Sequence, residues 1–424
     1  MKLKIAIVFI LSPLFIYSQP GFNKYFKDNS LRFDFLLAGD AKSTLVYPQQ
    51  LKKEPYWGGS KTNLVSPFNY GSYRYKVFDL DSDSLIFSKG FSTLFKEWQT
   101  TAEAKETTRA FYHAIVFPFP KRGVRLEIGQ RQWEGNFKTI YTTEIDPADY
   151  HINSEVLPDL GIEKILGNGK PEKKVDMVIL AEGYTQQEKK GFIEDVKRLI
   201  DRFFTEPPYD EEKNNFNIYA VFAPSLESGT DMPRKKVYKN TCFNSTFNTF
   251  DLPRYLTSSD IKAIYDAAAV VPYDQIYLLV NTTRYGGGAF YNYLNVCSSD
   301  NELSENIFLH EFGHGFAGLG DEYYSSEVAY ENFYNPDIEP WEPNLTTLAD
   351  FGHKWKDMVI DSIPIPTPRK PKFSKSVGVF EGGGYMNKGM YSPMMDCRMK
   401  SNQAKYFCPA CQKAIREVIN YYTK

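Results

Sequence analysis

The sequence predicts a protein of two domains, an N-terminal antiparallel β-sandwich followed by an α/β domain. Its 424 residues suffice for two domains of ordinary size, and a hydrophobic content of 42% can supply their cores. Short β-like runs separated by turn residues recur from residue 20 to 150, whereas strands alternate with helices after residue 174. Prolines, glycines and mixed charges between these regions indicate a linker at residues 151–173. The predicted domains are therefore 20–150 and 174–424.

In the N-terminal unit, strands are predicted at residues 33–37, 73–80, 111–117 and 124–128. A hairpin turn is expected at residues 79–84 and one short helix near residues 92–98. The polar and aromatic residues 97–101 are open to two interpretations. We favour a loop packed at the domain interface over a binding surface.

The second unit begins with a strand and a helix that the sequence marks clearly. Residues 175–181 are apolar apart from Asp176, as expected of a strand buried on both faces. Thr185 can cap the following helix, which keeps one apolar face until Pro207 and Pro208 end it. Strands at 216–223 and 276–281, with a helix at 258–269, continue the alternation. This order predicts a mostly parallel sheet with helices packed on it.

The N-terminus and the net charge constrain the compartment and the partners. A short basic start precedes an apolar stretch over residues 5–17, and Ser18 is a small residue suited to cleavage. We therefore expect residues 1–18 to be a signal peptide, and the protein to be secreted, periplasmic or at the cell surface. The apolar stretch is too short for a transmembrane anchor. A net charge of −2 gives no electrostatic basis for binding nucleic acid.

The most informative residues for chemistry are 310–314, with the sequence HEFGH. Two histidines four apart on a helix project from the same face, and neutral imidazoles are good Zn²⁺ ligands. Glu311 can polarise a water molecule bound to that metal. Only five histidines occur in the chain, which makes an ordinary surface helix the less favoured alternative. The sequence thus predicts one catalytic Zn²⁺ on His310 and His314, with Glu311 as the general base.

A catalytic zinc needs a third protein ligand and one open position. Gly318 lets the chain leave the helix sharply, because a left-handed residue after a helix is least strained as glycine. The turn brings Asp321 and Glu322 back towards the metal. The metzincin pattern places its third ligand six residues after the second histidine, whereas Asp321 is seven after it. We favour Asp321 as the third ligand, with Glu322 as the alternative.

Several segments resemble one peptidase family. HEFGHGFAGLGDEY at 310–323 is similar to the signature of peptidase family M64, named for a bacterial immunoglobulin A peptidase. The resemblance extends over nearly the whole mature chain. It includes GFSTLFKEWQTTAEA, VILAEGYT, RYGGG, VGVFEGGGY, CRM and FCPAC. It implies a secreted bacterial zinc endopeptidase with a metzincin-like catalytic domain, but it does not identify the substrate.

The resemblance also implies roles for residues outside the HEFGH motif. The segment 397–399 resembles the methionine turn that lies beneath a metzincin zinc site, with Met399 as its thioether. Met394 or Met395 remain alternatives. Tyr385 and Tyr391 are candidates to donate a hydrogen bond to the oxyanion, although each is better explained as a packed tyrosine.

Three consecutive glycines precede the HEFGH motif. Gly286, Gly287 and Gly288 allow close approach of another backbone. Residues 289–296 can then be either the sheet edge that pairs with an extended substrate or a flexible hairpin.

Five cysteines leave at least one thiol unpaired. Among Cys397, Cys408 and Cys411 we prefer a structural disulfide. A second zinc would need four ligands, and Cys397 is the only other cysteine near the CPAC pair.

Together these features predict a secreted, zinc-dependent endopeptidase that hydrolyses extracellular proteins or glycoproteins. A metal-bound water activated by Glu311 would attack the scissile bond. Two alternatives remain: a zinc amide hydrolase acting on glycan or cell-wall substrates, and a non-catalytic binding or adhesin module. A monomer without a transmembrane anchor is expected.

Overall fold

The computed structural model describes residues 19–324 and 334–424. The predicted signal peptide at residues 1–18, including the cleavage position, lies outside the described residues. Within the described ranges, every helix is too short or too polar to cross a lipid bilayer.

The N-terminal region consists of two antiparallel sheets. One has the strand order β2-β1-β5 and the other β4-β3-β6-β7. Their strands are β1 (Phe26–Gly39), β2 (Thr44–Glu54), β3 (Tyr73–Asp79), β4 (Leu85–Phe91), β5 (Arg109–Pro120), β6 (Val124–Arg131) and β7 (Phe137–Ile145), with short helices α1 (Phe22–Tyr25) and α2 (Leu94–Trp98).

Strand β3 shows why these residues form a sheet. Its residues alternate strictly between buried and partly exposed positions, which directs Tyr73, Tyr75 and Val77 into the core. The expected hairpin turn follows it. Asp79 ends β3, and its carboxylate accepts hydrogen bonds from the backbone and hydroxyl of Ser82.

The C-terminal region is built on a six-stranded sheet with the order β14-β15-β13-β9-β10-β8. The four central strands are parallel, and the two outer strands, β8 and β14, are antiparallel to their neighbours. The strands are β8 (Gly161–Gly167), β9 (Val175–Glu182), β10 (Phe216–Phe222), β13 (Gln275–Val280), β14 (Gly287–Phe290) and β15 (Leu294–Ser298). Two small hairpins lie outside this sheet: β11 (Ser245–Thr246) with β12 (Thr257–Ser258), and β16 (Phe380–Gly383) with β17 (Met386–Ser392).

The two faces of this sheet are covered by different parts of the chain. On β9, Met177 and Ile179 belong to a core shared with four helices of this region, whereas Val178 and Leu180 belong to a core shared with the N-terminal sheets. All eight residues of β9 are buried, as expected of a strand covered on both sides. The helices of this region are α3 (Lys189–Phe203), α4 (Tyr209–Glu212), α5 (Ile261–Ala268), α6 (Ser304–Ala317) and α7 (Pro409–Thr423). Of these, α3, α4, α6 and α7 contribute to the first core and α5 to the second.

The contact between the two regions contains buried charges as well as apolar residues. Arg32 on β1 is fully buried and pairs with Asp34 at 2.9 Å and with Asp266 of α5 at 2.7 Å. Lys52 on β2 also contacts Asp266, at 2.8 Å. Breaking a buried pair by removing one partner is strongly destabilising, so this network fixes how the N-terminal sheets meet α5.

One segment differs from the predicted organisation, and another combines two alternatives. The expected linker at 151–173 contains β8, which pairs with β10 and forms one edge of the C-terminal sheet. The segment 289–296 lies in a hairpin of β14, which is the other edge of the sheet, and β15, which lies inside it. Pairing of β15 with β13 satisfies backbone groups that a single exposed strand would leave open.

Candidate metal centre

The predicted zinc-binding helix is α6, and its end has the geometry that Gly318 makes possible. Gly318 has a φ of +64°, and its N–H and that of Leu319 donate to the carbonyls of His314 and Gly313. This left-handed cap reverses the chain. Asp321 therefore returns to the face of α6 that carries His310 and His314.

Three side-chain atoms from these residues converge. His310 Nε2 and His314 Nε2 are 3.1 Å apart, and they lie 3.2 Å and 3.3 Å from Asp321 Oδ1. Zinc bonds to nitrogen and oxygen measure about 2.0–2.1 Å, so tetrahedral ligand atoms are expected about 3.3 Å apart. The spacing of the three atoms therefore fits a Zn²⁺ ion.

The opposite ring nitrogens of both histidines face backbone carbonyls. His310 Nδ1 lies 3.0 Å from the carbonyl oxygen of Arg398, and His314 Nδ1 lies 2.6 Å from that of Leu319. A carbonyl can only accept, so each Nδ1 carries a proton, and Nε2 is the ring atom of each histidine that can bind a metal at the converging point. Such contacts orient metal-ligating histidines.

The charges of Asp321 and His314 shift each other's pKa values. Burial by itself would lower the pKa of His314, but the Asp321 carboxylate outweighs it and raises that pKa to about 9. Burial would likewise raise the pKa of Asp321, and the two histidines instead hold it well below its usual value. The carboxylate thus stays ionised, and a bound cation would take the place of the histidine protons.

Glu311 lies beside these three residues in a tightly packed position. A Cβ on Gly287 would come within 2.7 Å of Glu311 Oε1 and 2.8 Å of Ile307, so only glycine fits at residue 287. Burial raises the pKa of Glu311 above its ordinary value, with His310 and His314 opposing the shift. A carboxyl group with a raised pKa is a better proton acceptor than an exposed glutamate.

The two acidic residues after the turn go to different places. Asp321 faces the histidines and also accepts a hydrogen bond from the Tyr385 hydroxyl at 2.5 Å. Glu322 points the other way, and Oε1 lies 3.2 Å from the Cys411 sulfur. Of the two ligand candidates, only Asp321 lies with the histidines, and this supports its assignment.

Only some of the other residues expected at the site lie close to it. A Cβ on Gly313 of α6 would lie 2.8 Å from Met399 Sδ, so the thioether packs directly beneath the helix, whereas Met395 packs in a separate small cluster. The Tyr385 hydroxyl is bonded to Asp321 rather than directed to a free oxyanion position. Tyr391 does not line the cavity at the centre.

The candidate centre opens into a cavity of about 480 Å³. Gly287 and Gly288 line it together with the rest of the edge strand β14, whereas Gly286 lies outside the lining. Ser72, Ser92, Thr93, Lys96 and Glu97 reach the same cavity from the N-terminal region. The segment around α2, interpreted above as an interface loop, thus also contributes to the cavity wall.

Sequence reasoning missed several residues of this cavity. Arg254 lies near Glu311 and Asp321, and Tyr285 accepts a hydrogen bond from Asn402 at 2.7 Å. Trp341 and Glu342 come from the proline-rich segment after Tyr324, of which residues 325–333 lie outside the described ranges. No local pattern marks Arg254, because it belongs to an irregular loop between two short strands.

The predicted disulfide is not formed. All five cysteines are free thiols; the sulfurs of Cys397 and Cys411, for example, are 3.8 Å apart, whereas a disulfide requires about 2.05 Å. Instead, the three cysteines of this part of the chain meet Glu322 in the core.

Comparison with known families gives two matches. The family model described as IgA Peptidase M64 matches residues 164–375 and 369–419, and the model described as Peptidase M64 N-terminus matches residues 21–142. A search of curated proteins found no significant match. The two matches cover both structural regions and most of the chain, including the metal centre. The chain belongs to the IgA Peptidase M64 family.

Proposed function

We propose that this protein is a secreted zinc endopeptidase with a metzincin-like centre, in which His310, His314 and Asp321 hold the metal. The observation that carries the proposal is the convergence of these three donor atoms, 3.1–3.3 Å apart, beside Glu311 and open to a cavity. Three protein ligands facing a cavity leave a position for water or substrate, as catalytic zinc sites require.

When bound, a Zn²⁺ ion supplies Lewis-acid polarisation of the scissile carbonyl and acidifies water near it. The chain's own residues handle the protons. Glu311 accepts a proton from the attacking water and then delivers it to the leaving amine. The cationic Arg254, on the same cavity wall, adds positive charge close to the oxygen that becomes negative. Tyr385 holds Asp321 in place through its hydroxyl.

The substrate is proposed to bind as an extended peptide along β14. This four-residue strand is the last in its sheet, and all four of its residues line the cavity. Lys96 and Glu97 from the N-terminal region add one positive and one negative side chain to the lining of the same cavity. The N-terminal region would then help to select among protein or glycoprotein substrates.

The proposal is tested by measuring zinc content and cleavage of casein and a glycoprotein by wild type and Glu311→Gln. We expect about one zinc at this centre in both proteins and a fall in cleavage of at least about 10²–10⁴-fold in the variant, as loss of a general base predicts. Glu305→Gln, on the same helix but partly exposed, is the matched control and should retain full activity.

Turnover by Glu311→Gln at the wild-type rate would show that another group is the base. Zinc in wild type without cleavage of any protein, but with release of products from glycan or peptidoglycan, would favour an amide hydrolase. A wild-type protein with no metal at His310 and His314 would contradict the proposed centre itself.

A further inference from the structure

A second cluster of potential ligands lies in the core behind the candidate centre. It consists of Glu322, Cys397, Cys408 and Cys411, whose ligand atoms all lie within 4.8 Å of one another. The four side chains are buried, with exposed fractions of 0–3%. Three thiols and a carboxyl group without a cation would be a costly set to enclose in a core, because buried polar groups need partners.

We propose that this cluster is a structural Zn²⁺ site with three sulfur ligands and one oxygen ligand. Structural zinc sites are closed by four protein ligands in a tetrahedral arrangement, and cysteine sulfur is their commonest donor. The cluster supplies four ligands and is sealed from solvent. It thus differs from the histidine centre, which supplies three and faces a cavity.

The distances between the donor atoms fit this assignment. With zinc–sulfur bonds of about 2.3 Å, tetrahedral sulfurs should lie about 3.8 Å apart. Cys397 Sγ and Cys411 Sγ are 3.8 Å apart. Glu322 Oε1 lies 3.2 Å from Cys411 Sγ and 4.0 Å from Cys408 Sγ, on either side of the roughly 3.6 Å expected for an oxygen and a sulfur ligand.

One carboxylate oxygen of the cluster is suited to bind a cation. Glu322 is fully buried, and among residues 19–324 and 334–424 nothing donates a hydrogen bond to its Oε2 atom. Asn344 donates to Oε1 at 3.0 Å, which orients the carboxylate without satisfying the second oxygen. An unsatisfied buried carboxylate oxygen is explained when the group binds a metal.

Burial opposes ionisation of these thiols, and nearby backbone groups offset part of that cost. The N–H of Cys408 lies 3.2 Å from Cys397 Sγ, so it can donate to that sulfur. Cys408 is the N-cap of α7, and Cys411 lies in the first turn of this 15-residue helix, where the positive end of the helix dipole stabilises negative charge. The Lys400 ammonium group adds positive charge, since it lies 2.8 Å from the Glu322 carbonyl oxygen.

The proposed ion would join three segments that also support the histidine centre. Glu322 directly follows Asp321, and its N–H donates to the carbonyl of Met399 at 2.8 Å. Cys397 precedes Arg398, whose carbonyl faces His310. The second zinc would therefore fasten α7 and the Met399 turn to the chain that leaves α6.

The test is metal analysis and zinc X-ray absorption on wild type and on His310→Ala/His314→Ala. Wild type should hold two zinc ions per chain, and the double variant one. The zinc that remains should show sulfur neighbours at about 2.3 Å, which a site built only from histidine and aspartate cannot provide. This readout is independent of activity, and it leaves the four residues of the cluster intact.

Two further measurements complete the test. Cys408→Ser/Cys411→Ser should lose the sulfur-bound zinc and unfold at a lower temperature, whereas Cys242→Ser, a cysteine outside the cluster, should change neither. In denatured, chelated wild type, all five cysteines should react as thiols.

A Cys397–Cys411 disulfide, seen as two unreactive cysteines, would overturn the proposal. So would a double histidine variant that folds without zinc, or a wild-type zinc spectrum that contains no sulfur neighbours. Another metal bound by the cysteines would overturn the zinc assignment.

Discussion

The neighbouring residues Asp321 and Glu322 enter two clusters with opposite properties. Asp321 joins His310 and His314, whose side chains are 12% and 18% exposed at the wall of a cavity. Glu322 joins three cysteines that are almost completely buried. One peptide unit thus separates an open cluster of nitrogen and oxygen donors from a closed cluster of mainly sulfur donors.

Both clusters contain potential metal ligands, so the presence of such ligands does not by itself distinguish a reactive site from a structural one. The clusters differ in the access of solvent and substrate to the metal position and in the kind of donor atom. An open position lets substrate reach the metal, whereas four protein ligands leave no room for chemistry. Soft sulfur ligands in a dry core favour retention of the ion. The histidine cluster suits catalysis, and the cysteine cluster suits stability.

The largest effects are expected when Asp321 and Glu322 are neutralised separately, which tests whether the two residues serve different clusters. Asp321→Asn should lower zinc affinity at the histidine centre by more than about 100-fold and abolish cleavage, since ligands matter at least as much as their hydrogen-bond partners. Glu322→Gln should instead destabilise the fold, by about 3–5 kcal/mol, because it removes one partner from a buried charged cluster. Zinc titration and denaturant unfolding measure the two effects. Equal loss of stability in both variants would contradict the distinction.

The two clusters should also lose zinc to a chelator at different rates. The exposed centre should release its metal first, and activity should disappear while the sulfur-bound ion and the folded state remain. Zinc content, cleavage and circular dichroism are followed over time in dipicolinate, and activity should return when zinc is added. Simultaneous loss of both ions, activity and structure would show that the two clusters behave as one unit.

A smaller effect is expected from Glu206→Gln, which acts on the histidine centre from a distance. Both Glu206 oxygens bind the buried Arg398 guanidinium, at 2.9 Å and 3.2 Å, and the carbonyl of Arg398 orients His310. Loss of this support should weaken zinc binding by about 10–100-fold. Glu211→Gln, at the exposed pair with Arg416, is the control and should bind zinc normally.

The smallest effect should come from Tyr385→Phe. The variant removes one hydrogen bond to Asp321, and a loss of about 1.4 kcal/mol corresponds to a tenfold decrease in kcat/KM. If Tyr385 positions Asp321, zinc affinity should fall along with kcat/KM. A fall in kcat alone, with zinc affinity unchanged, would instead favour the oxyanion role.

Much of the candidate centre could be predicted because its information is local. The spacing of His310 and His314 places both side chains on one face of the helix. The glycine after the helix sets the direction in which the chain leaves it. The hairpin after β3 and the buried strand β9 were predictable for the same reason. The cysteine cluster could not be predicted in this way. Its fourth member, Glu322, lies 75 residues before Cys397 in the chain, and the sequence pattern marks it only as an alternative ligand of the histidine centre.

The sequence by itself determined the motif helix, the alternation of strands and helices, and the resemblance to the peptidase family. Only the tertiary structure decided which acid faces which cluster, that the N-terminal region reaches the cavity, and that β8 continues the sheet of the second region. The physical reason is the separation along the chain of the residues that interact. Helix and strand periodicities depend on residues a few positions apart, whereas ligand sets and cavity walls depend on how distant segments share one buried core.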